Sequence, residues 1–425
     1  MPTHYKTSIL RITTTILLVF QVFAGNSQTR IVSPYSRFGL GEITFNQNFR
    51  NLGLGGIAIG YRSNHVVNFI NPASYSALDS SSFVLEGTMF SHFYHQTTSS
   101  KNQSGNYSSL ANLSFAFPMN KVWAVGAGLR PFSMVGYKVL TSQEQEDSGT
   151  VNFLYEGEGG INQVFIGNSL RPFKGFSLGV NSSYLFGNID RNSSVGSNHE
   201  GFLLSRQLLS RKIQGWYFNF GAQYQFNLSP QSFVTLGVIF SPETKVTTFE
   251  TETLLRQQLG STNRFDTIAY KEGARGNITL PQTWGAGMFV KFNNSWSAGV
   301  DYQTQSWKDF AINQSIEGLN NANQISLGIQ HNPLITTSSR FFSFLDYRAG
   351  FRYGQSYLNL NNTTFNEFGI SFGVGVPVFR SRSKINIGFE YSQRGTTINN
   401  LIREDIFRVN ITLNIIERLI SRRFL

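Results

Sequence analysis

Six histidines and a complete lack of cysteine set the first limits on what chemistry this 425-residue chain can do. The histidines stand at 4, 65, 92, 95, 199 and 331. His92 and His95 fall on opposite faces of a strand, which is poor spacing for a shared metal. Neither His-Glu-x-x-His nor Gly-x-Ser-x-Gly occurs. Without a thiol there is no disulfide, thiolate metal site, cysteine nucleophile or lipidated cysteine anchor. The residues point to no enzyme, no metal and no cofactor.

Binding chemistry is better represented. Phe202-Leu203-Leu204-Ser205-Arg206-Gln207-Leu208-Leu209 and Thr253-Leu254-Leu255-Arg256-Gln257-Gln258-Leu259 each carry leucines four apart, Leu204/Leu208 and Leu255/Leu259. That spacing predicts two short helices with one apolar face each. Facing each other, they would form an external apolar groove, with Arg206 and Arg256 available to a carboxylate. The alternative is that the two faces pack together and simply close their loops.

The elements that position these residues are strands. From about residue 82 onward the dominant period is two: Ile385, Ile387, Phe389 and Tyr391 alternate with Asn386, Gly388, Glu390 and Ser392. Trp296, Ala298, Val300 and Tyr302 alternate with Ser297, Gly299, Asp301 and Gln303 in the same way. Each such segment has one apolar and one polar wall. Fourteen segments of this kind are predicted, joined by tight links such as 119–121 and 293–295 in alternation with long polar ones such as 138–159, 191–210 and 244–281. Short turns at one end and long loops at the other mark an all-β transmembrane antiparallel barrel, with its termini in the periplasm. Glu86, Lys291, Asp301, Arg348 and Glu390 fall in the polar phase and are expected to face the lumen or a plug, as bracing ion pairs rather than as ligand contacts.

Composition agrees with a lipid-facing wall. Charged residues are 14% of the chain, against about a quarter in soluble domains, and aromatic residues are also 14%. The net charge of +11 comes from scattered Lys and Arg with no long basic run, which favours anionic head groups or acidic ligands over nucleic acid. Lys6 and Arg11, the apolar stretch Ile12 to Phe23, and the small residues that follow have the form of a secretory signal peptide. The expected organisation is a signal peptide over 1–27, an N-terminal plug or hatch over 28–80, a barrel over 81–415 and a short basic tail over 416–425. The expected location is the bacterial outer membrane.

The stretch before the barrel lacks the strand rhythm. It carries glycines at 39, 41, 53, 55, 56 and 60, suited to close backbone approach. Asn71-Pro72-Ala73 makes a rigid turn, because Pro72 fixes its own φ and restricts Asn71. Gly55-Gly56-Ile57-Ala58, Asn71-Pro72-Ala73 and Leu78 resemble the plug region of FadL-type (OmpP1/TodX) outer-membrane transporters. Ser33-Pro34-Tyr35-Ser36-Arg37-Phe38-Gly39 and Leu129-Arg130-Pro131-Phe132-Ser133-Met134-Val135-Gly136-Tyr137 resemble a Bacteroidetes-type branch of such barrels. The resemblance implies a 14-stranded barrel closed by a hatch, with Asn71, Pro72 and Ala73 at the hatch turn. It also implies passive uptake of hydrophobic small molecules such as long-chain fatty acids, released through a lateral opening. The alternative is a non-transporting accessory or scaffold barrel in an outer-membrane secretion or assembly complex. Expected partners are outer-membrane lipids or lipopolysaccharide, a hydrophobic ligand and, in the second reading, proteins of such a complex.

Overall fold

The computed structural model describes residues 33–418, apart from 45–48, 80–81, 147–148, 200, 262, 314, 317, 334–340, 361–362 and 379–380. The segment expected to be a signal peptide and the end of the expected basic tail lie outside the described residues. The chain forms β1 (Glu42–Ile43), β2 (Ser82–Thr97), β3 (Asn102–Pro118), β4 (Trp123–Gln145), β5 (Gly149–Phe173) and β6 (Phe176–Ser197). These are followed by β7 (Ser205–Ser229), β8 (Ser232–Ser241), β9 (Thr244–Gln257), β10 (Phe265–Leu280), β11 (Thr283–Lys291) and β12 (Trp296–Gln305). The rest are β13 (Ala311–Ile312), β14 (Ser315–Ile316), β15 (Ala322–His331), β16 (Asp346–Leu360), β17 (Thr363–Pro377), β18 (Lys384–Arg394) and β19 (Arg403–Arg418).

Fourteen of these strands close into an antiparallel barrel, as the alternation predicts. The seam is the β19–β2 ladder, from Arg403 opposite Thr97 down to Arg418 opposite Ser82. Closure leaves no unpaired edge in lipid at the seam, which is the condition for a sheet to cross a membrane. Ile416 to Arg418, expected in the tail, instead finish the last strand and its pairing with β2. Ile166, Val238, Leu327 and Ile370 point outward and are exposed, alternating with buried Phe165, Ile239, Ser326 and Ser371.

The wall is uneven in height. β11, β12 and β15 have 9 or 10 residues, enough to cross the hydrocarbon when tilted. β5 and β7 have 25 each and run far beyond it. β8 pairs directly with β11, so β9 and β10 leave the barrel as a hairpin laid against the upper half of β7. Inside this tall side the outer end is closed by an apolar core that includes Leu40, Phe132, Ile213, Trp307, Phe310 and Leu401. The 306–321 connection folds inward to supply part of it, pairing Ile312 with Ile278 and stacking Trp307 on Tyr357 with ring centroids 4.5 Å apart.

Ion pairs brace the opposite inner wall. Glu390 takes Arg352 at 2.9 Å and also Arg408, while Arg394 holds Glu404 at 2.8 Å. Glu390, Arg352, Arg408 and Glu404 are buried and Arg394 is nearly so, so each depends on its partner. Glu390→Gln is expected to cost about 3–5 kcal/mol by leaving two buried guanidinium groups short of a carboxylate. The check is a lower temperature for loss of the compact band in heat-modifiability gels. An unchanged temperature would show the pairs to be dispensable.

Candidate functional site

The hatch is built from short 3-10 turns with side-chain caps. Ser33 caps the turn Pro34–Arg37 by accepting from Tyr35 N at 3.1 Å. Asn71 caps Pro72–Ala77 through Oδ1, which accepts from Ala73 N at 3.2 Å, while its Nδ2 donates to Ile59 O at 2.8 Å. The same amide reaches the wall carbonyls of Ala222 and Val238 at 3.3 and 3.4 Å. Ala73 O accepts from Ser169 Oγ on β5 at 2.9 Å. The predicted hatch motif is therefore the joint between the hatch and β5, β7 and β8.

Backbone meets backbone along much of this joint. A Cβ at Gly179 or Gly221 would collide with Pro72-Ala73 or with Asn71, one at Gly237 with Ile59, and one at Gly328 or Gly350 with Leu54-Gly55. Gly55 itself has φ +69° and lies against the carbonyls of Leu327 and Phe351, where a side chain has neither the conformation nor the room. Asp301 adds the strongest single anchor. Its Oδ2 accepts from Ala58 N at 2.6 Å and Ile59 N at 2.7 Å, and its Oδ1 from Gly60 N at 3.4 Å. Gly287, directly across the ladder from Asp301, leaves space for the carboxylate.

Two hatch cations show how charge is managed here. Burial lowers the pKa of Arg50, but Tyr61 and Glu86 (3.3 Å away) more than restore it, so it ends above its ordinary value. Among the described residues Arg62 donates to the neutral acceptors Ser76, Ser177 and Gln223, and burial, with the Arg171 charge adding, pushes its pKa down to about 10.

The wall is interrupted at one place beside the hatch. β3 and β4 pair only from Pro118–Ala124 to Leu113–Leu129. Beyond that point β3 stays with β2, β4 stays with β5, and the two strands separate. Pro131 explains the change: it has no N–H to donate, and the β4–β5 register slips between Pro131 and Ser133. From Arg130 to Tyr137 the in–out alternation is lost and every residue is buried, as expected of a strand bent inward. Buried Phe90, Tyr107, Ala111 and Met134 pack together in the slot so formed. β1 fills its inner side, with Glu42 opposite Met134, Ile43 opposite Ser133 and Thr44 N donating to Phe132 O at 3.0 Å. Ser33 N donates to Gly136 O at 3.0 Å and Gly136 N to Ser36 Oγ at 3.1 Å, so the segments 33–39 and 129–137 lie against each other. A cavity of about 130 Å³ beside β1 is lined by Glu42 and Ile43 and by polar groups including Gln303, Gln324, Gln355, Arg352 and Arg394.

The two predicted loop helices are corrected. Phe202, Leu203 and Leu204 precede β7, Leu208 lies on β7, and Leu254 and Leu255 lie on β9. They form no helices: Arg206 pairs with Leu255, Gln207 with Leu254 and Leu208 with Thr253 in one ladder. A spacing of four is also two strand periods, and a ladder satisfies every backbone group where an isolated two-turn helix cannot. Arg206 stacks over the Phe265 ring at 4.4 Å, Ser205 pairs with Arg256, and Leu259 is exposed in the following turn. Of the lumenal charges, Glu86, Asp301, Arg348 and Glu390 are buried, while Lys291 sits over Phe233 with its Nζ 6.0 Å from the ring centroid.

Sequence reading missed the slot and the seating glycines. The signals were Pro131 in a strand otherwise fit for a barrel interior, and glycine recurring in the polar phase of consecutive strands. Asp301→Ala is expected to leave buried N–H groups unpaired, each costing about 1–3 kcal/mol. Gly350→Val is expected to unseat the hatch by collision. Both should raise tryptic cleavage after Arg50 and Arg62 in an otherwise closed barrel; cleavage equal to wild type would contradict the anchoring roles.

Solved structures share this architecture. The CymD monoaromatic hydrocarbon channel superposes with TM-score 0.58 at 13% identity, over 90% of this chain and 99% of that one. A toluene transporter TodX from P. putida gives TM-score 0.58 at 15% identity, over 87% and 97%. A FadL homologue from Pseudomonas aeruginosa gives 0.55 at 12% identity, over 89% and 100%. No curated protein matches by sequence. The closed ladder, apolar exterior and shared fold make this an integral outer-membrane barrel of FadL-like architecture. A family model described as BamG matches residues 9–423, nearly the whole chain, and the protein accordingly belongs to the BamG family.

Proposed function

We propose that the protein passes hydrophobic small molecules, with long-chain fatty acids as one fitting class, through the slot between β3 and β4. The observation that carries this reading is the interrupted ladder with its apolar lining, backed from inside by a two-residue strand of the hatch. The body of the hatch is the fixed part, bound by Asp301 and seated on wall glycines. β1 is the movable part. It holds to the wall through a short ladder and to the lumen through Glu42, whose carboxylate lies 3.4 Å from Arg394 and 3.8 Å from Arg408. Shifting β1 opens the slot toward lipid without unseating the hatch.

A second reading, an accessory barrel in an outer-membrane secretion or assembly complex, is favoured by the tall sheet of β4 to β7 with its β9–β10 hairpin. That sheet extends well past the hydrocarbon on one side only and offers a docking surface to a neighbour.

The lack of cysteine permits a clean test. A disulfide between Ile43→Cys and Ser133→Cys, which face each other across the β1–β4 ladder, is expected to abolish cellular uptake of a labelled fatty acid, and reduction to restore it. Uptake unaffected by the lock would overturn the transport reading. Uptake absent in wild type, with partner proteins co-purifying in fixed ratio from native membranes, would establish the accessory one.

A further inference from the structure

Arg130 is out of keeping with the other buried cations of the wall. Arg348, Arg352, Arg394 and Arg408 each face a carboxylate, whereas Arg130, only 4% exposed, has none among the described residues. Its guanidinium donates to Thr44 O at 2.7 Å and stacks over the Phe69 ring at 4.1 Å, and its Nε has no hydrogen-bond partner. An uncompensated buried charge costs several kcal/mol, far more than one neutral hydrogen bond returns.

The group faces a small cavity of about 20 Å³ between the hatch and the wall. Three further polar atoms lining it are buried and unpartnered: Gln163 Oε1, Asn219 Oδ1 and Gln303 Nε2. Gln163 and Asn219 rest their amide nitrogens on the hydroxyls of Ser183 and Ser241, at 2.7 and 3.2 Å. A hydroxyl donates as readily as it accepts, so either amide can turn over and present N–H to the cavity. Arg130 and Gln303 then both supply donors to one water-sized space.

We propose that Arg130, with Gln303, Gln163 and Asn219, forms a binding site for a small monoanion lodged between hatch and wall. A volume near 20 Å³ holds about one water-sized group. It therefore admits a halide or one end of a carboxylate and excludes phosphate or a sugar acid. The bound charge neutralises Arg130 and fixes the place where the hatch crosses the bent strand β4. This site is independent of whether the slot conducts.

The test is made on the whole mature barrel at constant ionic strength. Bromide, formate and gluconate are compared by denaturation temperature, and crystals grown in bromide are examined for an anomalous peak at Arg130. Bromide and formate are expected to raise the temperature by about 2 °C or more over gluconate, with a bromide peak within hydrogen-bonding distance of the guanidinium. Protection by both ions identifies a free monoanion as the source, and protection by formate alone a carboxylate terminus. Gln163→Glu places a carboxylate directly across the ladder from Arg130 and should fold, lose the peak and lose the anion dependence. Equal behaviour of wild type in all three salts, or anion dependence unchanged in Gln163→Glu, would overturn the proposal.

Discussion

The structure depends on a close approach: the hatch backbone lies directly on the inner face of the wall, at positions where the wall has no side chains. A barrel of this size would otherwise enclose a wide lumen or fill it with side chains. Here Gly179, Gly221, Gly237, Gly328 and Gly350 leave room for a folded segment that the ladder could not otherwise admit. The remaining polar groups of that segment are then satisfied by the wall itself, through Asp301 and through Asn71, which the hatch presents to two wall carbonyls. Close packing and hydrogen bonding act together, because the short distances that exclude a methyl group also make the bonds.

That constraint also explains where the molecule can change. A segment seated over many strands cannot shift by a fraction of an ångström without collision, so motion is left to the parts that lie off the glycine seats. β1 is such a part. It occupies an edge created by Pro131, and it is tied by a short ladder and by ion pairs that can exchange partners within the Glu42, Glu367, Glu390, Arg394 and Arg408 cluster. The uneven wall fits the same division. The short strands cross the membrane and no more, while the tall ones hold the apolar core that closes the outer end.

Much of this was legible in the sequence, for physical reasons. Strand count followed from a period of two, which every half-lipid, half-lumen strand must show, and from alternating link lengths. Asn71-Pro72-Ala73 could be read as a rigid turn because proline restricts its predecessor. The Leu204/Leu208 and Leu255/Leu259 pairs misled because a spacing of four suits both a helix and a strand, and only the β7–β9 ladder decides between them. The slot was hidden for a related reason. Pro131 lies within a run that alternates well enough on paper, and the loss of pairing with β3 is a property of two strands that neither sequence shows alone. Arg130 likewise reads as one more lumenal cation until its neighbours among the described residues are known to carry no carboxylate.

We propose that β1 moves while the body of the hatch stays seated. Backbone hydrogen exchange of the intact barrel with and without saturating dodecanoate tests it directly. Faster exchange is expected at Thr44, whose N–H bonds Phe132 on the slot edge, with unchanged protection at Ala58 and Ile59, whose N–H groups bond Asp301. Exchange that rises together at all three, or at none, would contradict it.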